Sequence, residues 1–503
     1  MSRIMLFYLT ISLEIVRELS LSFAPILYYS IFSPRHMSHS DKPIEIAIIG
    51  AGFSGLMTTY HLLRETTVPL TIHLINEKET LGRGVAYSTP SLKHLLNVPT
   101  AKMSAIHDDP SHFLEWAHKQ PAYRDLNKEV LGKTFLPRQL YGNYIISILE
   151  EGLKTKREDT QVNMVLDTAV DIDQSNGKFE IKLKKNAPVK ADYVILATGN
   201  EAPSNPPIPN EAFYKSDSYI RDPWLTDVRK YVKPDQNIAI IGNGLTMVDV
   251  IISIMETGYK GKIHTISPSG FTVIPHLHNH IEYKDFINEV KEPYRLDELF
   301  MIGHKHFRAL HKIGVSVEPI VDSLRPITQK IWQSWTLKEK ETFVRDVKSI
   351  WNKVRHRLAP HLHDYIQRLR IRGHLKVHKA KLINIEEDAN GVNVHYLSKH
   401  TQTEKVLSVG LVINCTGPHT DISKSEDQLL HALVLKGMIQ PDPLHIGMDV
   451  NDDWNLRDNK GNVNPKLYTI GGNLRGLLWE TTAVPELKSQ TAVLAKRILE
   501  KVK

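Results

Sequence analysis

The feature that most constrains this chain is a short apolar run that ends in a glycine-rich turn. Residues 44–49 read Ile-Glu-Ile-Ala-Ile-Ile, and Gly50, Gly52 and Gly55 follow with the spacing G-x-G-x-x-G. Such a run is typical of a strand buried on both faces of a parallel sheet. The first glycine permits a tight turn, the second lets the backbone approach a pyrophosphate, and the third lets the next helix pack closely on its strand. The stretch therefore predicts a dinucleotide site.

The residues after the glycines complete this prediction. A helix that begins at Phe53 and Ser54 would point its first amides and its positive dipole end at the pyrophosphate. A second strand follows at residues 70–75, and the side chain that holds the adenosine ribose is expected about 20 residues beyond the glycines. Strand alternation favours Asn76 for this contact, and Glu77 stands one residue later, so both are candidates.

Three further polar positions of the first half are candidate cofactor contacts. Arg83 lies between two glycines, where its guanidinium suits a second phosphate contact, although the segment also fits a surface turn. Asn97 interrupts the apolar run His-Leu-Leu-Asn-Val-Pro, which fits a segment that passes beneath a flat ring. Arg138 begins a helix, where it could hold a phosphate, a substrate anion or nothing.

An apolar strand closed by a small residue, threonine and glycine occurs twice. The first copy ends in Thr198 and Gly199, and the second ends in Cys415, Thr416 and Gly417. Small residues at these positions let the chain pass close to a bound dinucleotide and cross between domains. We expect Thr198, Gly199 and Gly417 to contact cofactors and Cys415 to be a buried small hydrophobe.

The opening motif returns in the middle of the chain as Asn-Ile-Ala-Ile-Ile-Gly-Asn-Gly. Gly242 and Gly244 form the phosphate-facing pair, Leu245 and Thr246 begin the next helix, and Met247 stands where the third glycine would be. The following strand ends at Ser267 without the acid that a free ribose 2′-hydroxyl prefers. This pattern predicts a second dinucleotide site, and the missing acid favours NADPH over NADH. The preference is only slight, because no arginine lies there either.

The C-terminal part brings a third strand followed by glycine. Gly471 closes that strand, and Thr481 stands near the start of a final apolar helix, so both are candidate cofactor contacts. Between the two halves, a helical pattern predicts an insertion at about residues 281–372. Within it, Arg355-His356-Arg357 fits a basic last helical turn or a group that faces an anionic substrate or a cofactor phosphate.

Composition excludes several classes of function. The net charge is +7, but 63 basic residues are interleaved with 56 acids, which is typical of a solvated surface. We therefore expect no nucleic-acid partner. The single Cys415 excludes an internal disulfide and a CxxC redox pair. His276, His278 and His280 alternate, but no cysteine or paired carboxylate joins them at ligand spacing, so we expect no metal site.

The first 32 residues contain two apolar runs that Glu14, Arg17 and Glu18 separate. A bilayer span needs about 20 uninterrupted apolar residues, so we expect no stable membrane span. Translation from Met37 would give the opening expected of a cytoplasmic protein, and an amphipathic anchor is the alternative.

The chain from about residue 44 onward resembles the YdhS-like bacterial FAD/NAD(P)-binding proteins. More distantly, it is similar to flavin-dependent N-hydroxylating and Baeyer–Villiger monooxygenases. The specific segments that carry the resemblance are GRGVAYST at 82–89, HLLNVP at 94–99, FLPRQLYGNY at 135–144, DSLRP at 322–326, RHRLAP at 355–360 and WETTAVPEL at 479–487. The resemblance implies FAD at the first site and NADPH or NADH at the second.

These observations predict an α/β protein with two Rossmann-like dinucleotide-binding domains and a helical insertion. The expected divisions are an N-terminal extension at 1–42, the FAD domain at 43–210 and 405–503, and the NAD(P) domain at 211–404. Two nucleotide sites imply hydride transfer from NAD(P)H to a flavin. We expect a monooxygenase-type enzyme that acts on a small molecule. The alternatives are a reductase that passes electrons to a quinone or protein acceptor, and a nucleotide-sensing flavoprotein without catalysis.

Overall fold

A computed structural model describes residues 42–77, 81–277 and 281–502 of the chain. It contains two large β-sheets flanked by helices, which confirms the predicted α/β class with two Rossmann-like units. Residues 1–41, which make up nearly all of the expected N-terminal extension, lie outside the described residues. Within the described ranges, no helix has both the length and the apolar character that crossing a bilayer requires.

The strands follow the apolar runs and alternating patterns of the sequence. In chain order they are β1 (Ile44–Ile49), β2 (Leu70–Asn76), β3 (Gln161–Leu166), β4 (Ala169–Ser175), β5 (Lys178–Leu183), β6 (Val189–Ala191), β7 (Tyr193–Leu196), β8 (Tyr219–Ile220), β9 (Ile238–Ile241), β10 (Ile263–Ser267), β11 (Leu375–Asp388), β12 (Gly391–Ser398), β13 (Glu404–Val409), β14 (Leu411–Asn414), β15 (Asn455–Arg457) and β16 (Val463–Thr469).

The α-helices include one after each glycine turn and a series between β10 and β11. In chain order they are α1 (Phe53–Glu65), α2 (Gly84–Tyr87), α3 (His112–His118), α4 (Lys128–Lys133), α5 (Arg138–Thr155), α6 (Leu245–Glu256), α7 (Lys284–Glu289), α8 (Leu296–Lys312), α9 (Glu318–Leu324), α10 (Thr328–Ser334), α11 (Leu337–Thr342), α12 (Lys348–Arg355), α13 (Pro360–Ile371), α14 (Gln428–Leu435) and α15 (Val484–Val502).

The first sheet has the order β15-β16-β7-β1-β2-β3. All neighbours in it are parallel except β15 and β16. From the central strand β1 the chain passes to β2 on one side. It later returns to place β7 on the other side of β1. A crevice opens beyond the carboxyl end of such a strand, and ligands of open α/β sheets bind there.

The second sheet has the order β13-β12-β11-β10-β9-β14-β8. Here β9 occupies the position that β1 has in the first sheet, between the parallel strands β10 and β14. Strands β13 and β14 belong to this sheet, so the second unit extends to Asn414 and past the expected boundary at residue 404. The reason is that β14 supplies the parallel neighbour that completes the crevice at β9.

The helices α7 to α13 form the insertion between β10 and β11. Their core is aromatic and includes Trp332, Trp335 and Phe343, which pack with Trp479 from the segment after β16. The rings of Trp332 and Trp479 lie 5.0 Å apart between centroids. Apolar packing and aromatic contacts therefore fix the insertion against the C-terminal return of the first unit.

Candidate functional site

The first glycine turn is held tightly against the end of β7. Gly50 has a φ of +102°, and a Cβ added there would lie 2.3 Å from the carbonyl oxygen of Ala197. A Cβ on Gly55 would lie 1.9 Å from the carbonyl oxygen of Gly50. Real Cβ contacts are not this short, so both positions require glycine. The two glycines keep the turn narrow and α1 close to its strand.

The start of α1 is open to a ligand. Gly52 is its N-cap, and no side chain from the described part of the chain caps the helix. A Cβ on Gly52 would lie 3.6 Å from the Cα of Gly84, so two glycine backbones face each other across this turn. Phe53 is buried, and Ser54 is half-buried beside Gly471. Because the first amides of a helix lack intrahelical partners, this end is suited to bind a pyrophosphate.

The candidate ribose residues differ in their surroundings. The side-chain oxygen of Asn76 accepts a hydrogen bond from the amide of Ala51 at 3.0 Å. Asn76 therefore stabilises the glycine turn from the end of β2. Glu77, one residue later, is exposed.

Arg83 lies beside the turn at the start of α2. One of its guanidinium nitrogens donates a hydrogen bond to the side-chain oxygen of Asn143 at 2.7 Å. A Cβ on Gly142 would lie 2.9 Å from Cγ of Arg83, so this glycine leaves room for the arginine. Burial lowers the pKa of Arg83. Among the described residues it has no carboxylate partner, which suits a guanidinium that meets a phosphate.

The residues that follow β7 and β16 bring polar side chains to the same edge of the first sheet. The Asn473 amide donates hydrogen bonds to the hydroxyls of Thr198 at 3.1 Å and Thr469 at 3.0 Å. The Thr481 hydroxyl donates to the carbonyl oxygen of Gly471 at 2.9 Å, and Gly471 has a φ of +77°. Like Gly471, Gly199 has a positive φ, and no described residue apart from its chain neighbours lies within 4 Å of a Cβ built on it.

The second glycine turn repeats this geometry. Gly242 has a φ of +112°, and a Cβ there would lie 2.3 Å from the carbonyl oxygen of Cys415. Gly244 is the N-cap of α6, again without a side-chain cap. Within the described ranges, no atom beyond the adjacent residues lies within 4 Å of a Cβ built on Gly244 or Gly417. Leu245 and Thr246, the first residues of α6, are half-buried. The N-terminal end of α6 is therefore open to a ligand, as the N-terminal end of α1 is.

Cys415 has a structural position in this second turn. Its side chain is buried in the apolar core of the second unit. Burial raises the pKa of its thiol, so the nucleophilic thiolate is disfavoured. Its backbone carbonyl, rather than its sulfur, shapes the candidate site.

Arg138 and Asn97 both contact the second unit. Arg138 pairs with Asp249 of α6 at 3.0 Å, and both side chains are largely buried, with 13% and 6% exposed. The arginine also donates to the carbonyl oxygen of Leu95 at 3.0 Å. Nε2 of His276 donates to the carbonyl oxygen of Asn97 at 2.7 Å. His278 and His280, considered as metal ligands with His276, lie outside the described residues.

The sequence patterns did not identify several residues that shape these sites. The carbonyl groups of Ala197 and Cys415 have no side-chain signature, although the repeated small-Thr-Gly endings mark their positions. Asn473 directly follows the pair Gly471-Gly472, and this position could have identified it from the sequence. The partner of Arg138 gave no signal, because Asp249 lies on a distant helix.

Comparison with known proteins agrees with this geometry. Residues 47–201 match a family model described as FAD-NAD(P)-binding, which covers the first glycine turn through Gly199. The chain is 26% identical to YdhS of Escherichia coli K12 over 220 residues, which cover 42% of this chain and 39% of YdhS. It is 31% identical over 94 residues to a ferredoxin–NADP reductase of Rickettsia typhi, covering 18% of this chain and 27% of that protein. The chain thus matches less than half the length of these curated relatives.

Solved structures share the fold over a larger part of the chain. An ornithine N-hydroxylase of Kutzneria sp. 744 has a TM-score of 0.62 at 14% identity, and the alignment covers 92% of this chain and 100% of that one. An L-lysine 6-monooxygenase of Pseudomonas syringae has a TM-score of 0.62 at 13% identity, with coverage of 92% and 99%. At these identities the likeness concerns the fold. The family match concerns residues 47–201, and over 220 residues the chain is similar to YdhS.

Proposed function

We propose that this protein is an FAD-dependent NAD(P)H oxidoreductase with monooxygenase-type chemistry on a small molecule in the cytoplasm. The observation that carries the proposal is the repeated turn: a Cβ added to Gly50 would lie 2.3 Å from the carbonyl oxygen of Ala197, and one added to Gly242 would lie 2.3 Å from that of Cys415. Each turn leads into an uncapped helix at the carboxyl edge of a parallel sheet. Two such sites in one chain suit two dinucleotides that exchange electrons.

FAD, when bound, accepts a hydride from the nicotinamide and passes the electrons on. In the first unit, the amides at the start of α1 would hold its pyrophosphate, with Arg83 as a second phosphate contact. Thr198, Gly199, Gly471 and Thr481 line the same edge. In the second unit, Gly242, Gly244 and the start of α6 would hold the pyrophosphate of NAD(P)H. The chain's contribution is to bind and orient both molecules.

The buried contact between the two units supports a fixed arrangement of the two sites. Arg138 from the first unit pairs with Asp249, and His94 contacts the carbonyl oxygen of the same residue at 3.0 Å. Asp249 lies on α6, whose first turn would meet the nicotinamide cofactor. Hydride transfer depends on close alignment of the two rings, so this contact suits a redox enzyme.

The second reactant is oxygen in our leading proposal. A dithiol mechanism within this chain is excluded, since its one cysteine is buried. The fold is shared with an ornithine N-hydroxylase and an L-lysine 6-monooxygenase, which supports oxygenation of a small molecule. The segment related to ferredoxin–NADP reductases favours the second candidate, a reductase that passes electrons to a quinone or protein acceptor.

NADPH is the better candidate for the second site. The adenosine ribose of a Rossmann-bound cofactor lies at the end of the second strand, here Ser267. Lys379 is in register with Ser267 on the neighbouring strand β11. Nζ of Lys353 lies 4.3 Å from the centroid of the Phe271 ring in the following loop. Two lysines near this strand end suit a 2′-phosphate, and the loop between residues 267 and 271 carries no acid that would repel one.

The test begins with the visible spectrum of the purified protein, which should show bound flavin after incubation with FAD. Anaerobic titration with NADPH, and then with NADH, should bleach the flavin bands, with NADPH effective at lower concentration. In air, candidate substrates should change the ratio of oxygen consumed to peroxide released. A protein that binds no FAD, or whose flavin neither cofactor reduces, would refute the proposal. Peroxide formation for every substrate, with rapid anaerobic turnover of a quinone, would favour the reductase.

A further inference from the structure

Four cationic side chains gather where the helical insertion meets the segment after β16. This cation cluster consists of Arg325, Lys348 and Arg355 from the insertion and Arg475 from the C-terminal segment. Lys348 and Arg475 lie within electrostatic range of each other, as do Arg325 and Arg355. Like charges repel, so such a grouping requires anions nearby.

Two carboxylates of this chain face the cluster, and their contacts are loose. Glu480 lies 3.4 Å from Nε of Arg355, and its other oxygen accepts a hydrogen bond from the indole of Trp351 at 2.7 Å. Glu486 lies 3.6 Å from Arg355 and 3.6 Å from Arg325. None of these ion pairs has the short bidentate geometry that stabilises a buried arginine and carboxylate.

The other nearby acids are already engaged. The two carboxylate oxygens of Asp442 accept hydrogen bonds from the amides of Leu444 and Ile446, at 2.9 and 2.8 Å. Asp322 holds Arg357 with two hydrogen bonds of 2.8 and 2.9 Å. Asp442 nevertheless keeps its negative charge and lies within electrostatic range of Arg475. Four cations therefore have three carboxylates within range, Asp442, Glu480 and Glu486, and the cluster keeps an excess of positive charge.

Several donors of the cluster lack an acceptor. Nε and Nη2 of Arg355 make no hydrogen bond, although this side chain is only 10% exposed. The side chains of Lys348 and Arg475 make no hydrogen bond or ion pair with any described residue, while burial lowers the pKa of each. A partly buried cation that makes no hydrogen bond is costly, and one way to offset the cost is to bind an anion.

The cluster adjoins the first cofactor site. Arg475 and Glu480 lie in the segment that begins at Gly471, beside Ser54 of α1, and returns to Gly471 through the hydroxyl of Thr481. The peptide oxygens of Gly476 and Glu480 accept hydrogen bonds from Trp332 and Gln329 of the insertion, at 2.9 and 2.6 Å. These contacts fix the insertion, with its cations, next to the edge where the flavin would lie.

We propose that the cation cluster binds a carboxylate of the substrate, so that the small molecule on which this protein acts is an organic acid. Lys348 supplies a charge with no described carboxylate in range, Arg475 supplies a guanidinium that makes no hydrogen bond within the described ranges, and Arg355 adds its unpaired nitrogens. The inference rests on the proposed oxidoreductase function, because it concerns the substrate of that same site. A phosphate of the nicotinamide cofactor is the competing occupant.

The test uses the FAD-loaded protein and a panel of small carboxylates, each paired with its neutral amide: acetate, benzoate, glutarate and citrate. Binding is followed by tryptophan fluorescence, because Trp351 and Trp479 adjoin Glu480. We expect at least one acid to bind better than its amide. Arg475→Gln and Lys348→Gln should each weaken that binding by about 10- to 100-fold, as for a hydrogen bond to a charged group.

Three controls separate charge from folding. Arg475→Lys keeps the charge and should retain most of the binding. Arg345→Gln removes an exposed arginine of the insertion that pairs with Asp346, and it should leave binding unchanged. The flavin spectrum and anaerobic reduction by NADPH should be normal in every variant, which reports on the proposed function independently.

The outcomes are distinct. If no acid binds better than its amide, or if Arg475→Gln and Lys348→Gln bind acids as well as the unchanged protein, the inference is overturned. If the same substitutions instead weaken binding of 2′,5′-ADP, the cluster serves the nicotinamide cofactor, which also overturns it. Failure of NADPH to reduce the flavin in the unchanged protein would refute the proposed function instead.

Discussion

In the first nucleotide turn, Gly50 faces the carbonyl oxygen of Ala197 so closely that a Cβ would lie 2.3 Å from it. The second turn has the same relationship between Gly242 and Cys415, again at 2.3 Å. The amides match as well, since Gly50 donates to the end of β2 at 2.8 Å and Gly242 to the end of β10 at 2.9 Å. The chain thus builds the same turn twice, each time from the sequence Ile-Ala-Ile-Ile-Gly-x-Gly.

The two turns can be tested against each other. Alanine at either glycine would meet a backbone carbonyl and adopt a positive φ, at a cost of about 1–3 kcal/mol in local packing. We expect Gly50→Ala to lose bound FAD, measured by flavin absorbance per protein. Gly242→Ala should keep its FAD, but its flavin should be reduced by NADPH at least about tenfold more slowly.

A third substitution controls for glycine replacement itself. Gly303 lies within α8, where the nearest atom to an added Cβ is 3.9 Å away. Gly303→Ala should leave both readouts unchanged and increase helix stability by up to about 1 kcal/mol. If Gly50→Ala retained normal flavin content, the first turn would not be the FAD site.

The pair between Arg138 and Asp249 should contribute strongly to stability. Breaking a buried pair leaves one charge uncompensated, which costs about 3–5 kcal/mol. We expect Arg138→Gln to lower the free energy of unfolding by an amount in this range, measured by urea denaturation. It should also slow flavin reduction, because the contact joins the two units. Arg138→Lys should restore little, since Arg138 also donates from Nε to Leu95.

The matched control is the exposed pair of Arg157 and Asp159, with 41% and 36% of the side chains exposed. Arg157→Gln should leave stability nearly unchanged, because exposed ion pairs contribute little. An equal loss in both variants would mean that the interface pair has no special role.

Cofactor preference should depend on the lysines near Ser267. Replacing Lys379 and Lys353 together by glutamine removes the charges proposed to meet a 2′-phosphate. We expect KM for NADPH to rise by about tenfold or more, with KM for NADH nearly unchanged. Lys376 is also exposed on β11, but it is in register with His264 rather than with the strand end. Lys376→Gln should therefore leave both KM values as they are, and an equal rise for both cofactors in the double variant would argue against a 2′-phosphate contact.

Acid should destabilise the second unit through His264. Its imidazole is buried on β10 and contacts His378 at 3.0 Å. Burial, together with His378 and nearby lysines, lowers the pKa of His264 to about 4. The unfolded chain binds a proton near the usual value of about 6.5, so the folded state loses stability as the pH falls below that value.

The expected size of this loss between about pH 7.5 and pH 5 is about 1–2 kcal/mol. His264→Gln, which cannot be protonated, should show a smaller fall in Tm over the same pH interval. His431 on α14 is exposed, so His431→Gln should retain the full pH dependence. A fall in Tm of the same size in His264→Gln would exclude this imidazole as the cause.

The local units of the fold were accessible from the sequence. The apolar runs that became β1 and β9, and the glycines after each, are features of short segments. A strand, a tight turn and a helix start all depend on neighbouring residues, so periodicity and glycine spacing predict them. The helical insertion was accessible for the same reason.

The pairings across the fold were not accessible in this way. Arg138 could be placed at a helix start from the sequence, but its partner Asp249 follows only from the packing of α6 against the first unit. The membership of β14 in the second sheet depends on which edge of β9 remained unpaired.

The amino-acid pattern was sufficient for the two glycine turns and the class of the fold, because these arise from interactions between residues close along the chain. The contact between the two units depends on distant segments of the chain. So does the grouping of Arg475, Lys348 and Arg355 near Asp442, Glu480 and Glu486. Hydrophobic burial drives such packing without regard to sequence distance, so no local pattern records which charges it brings together.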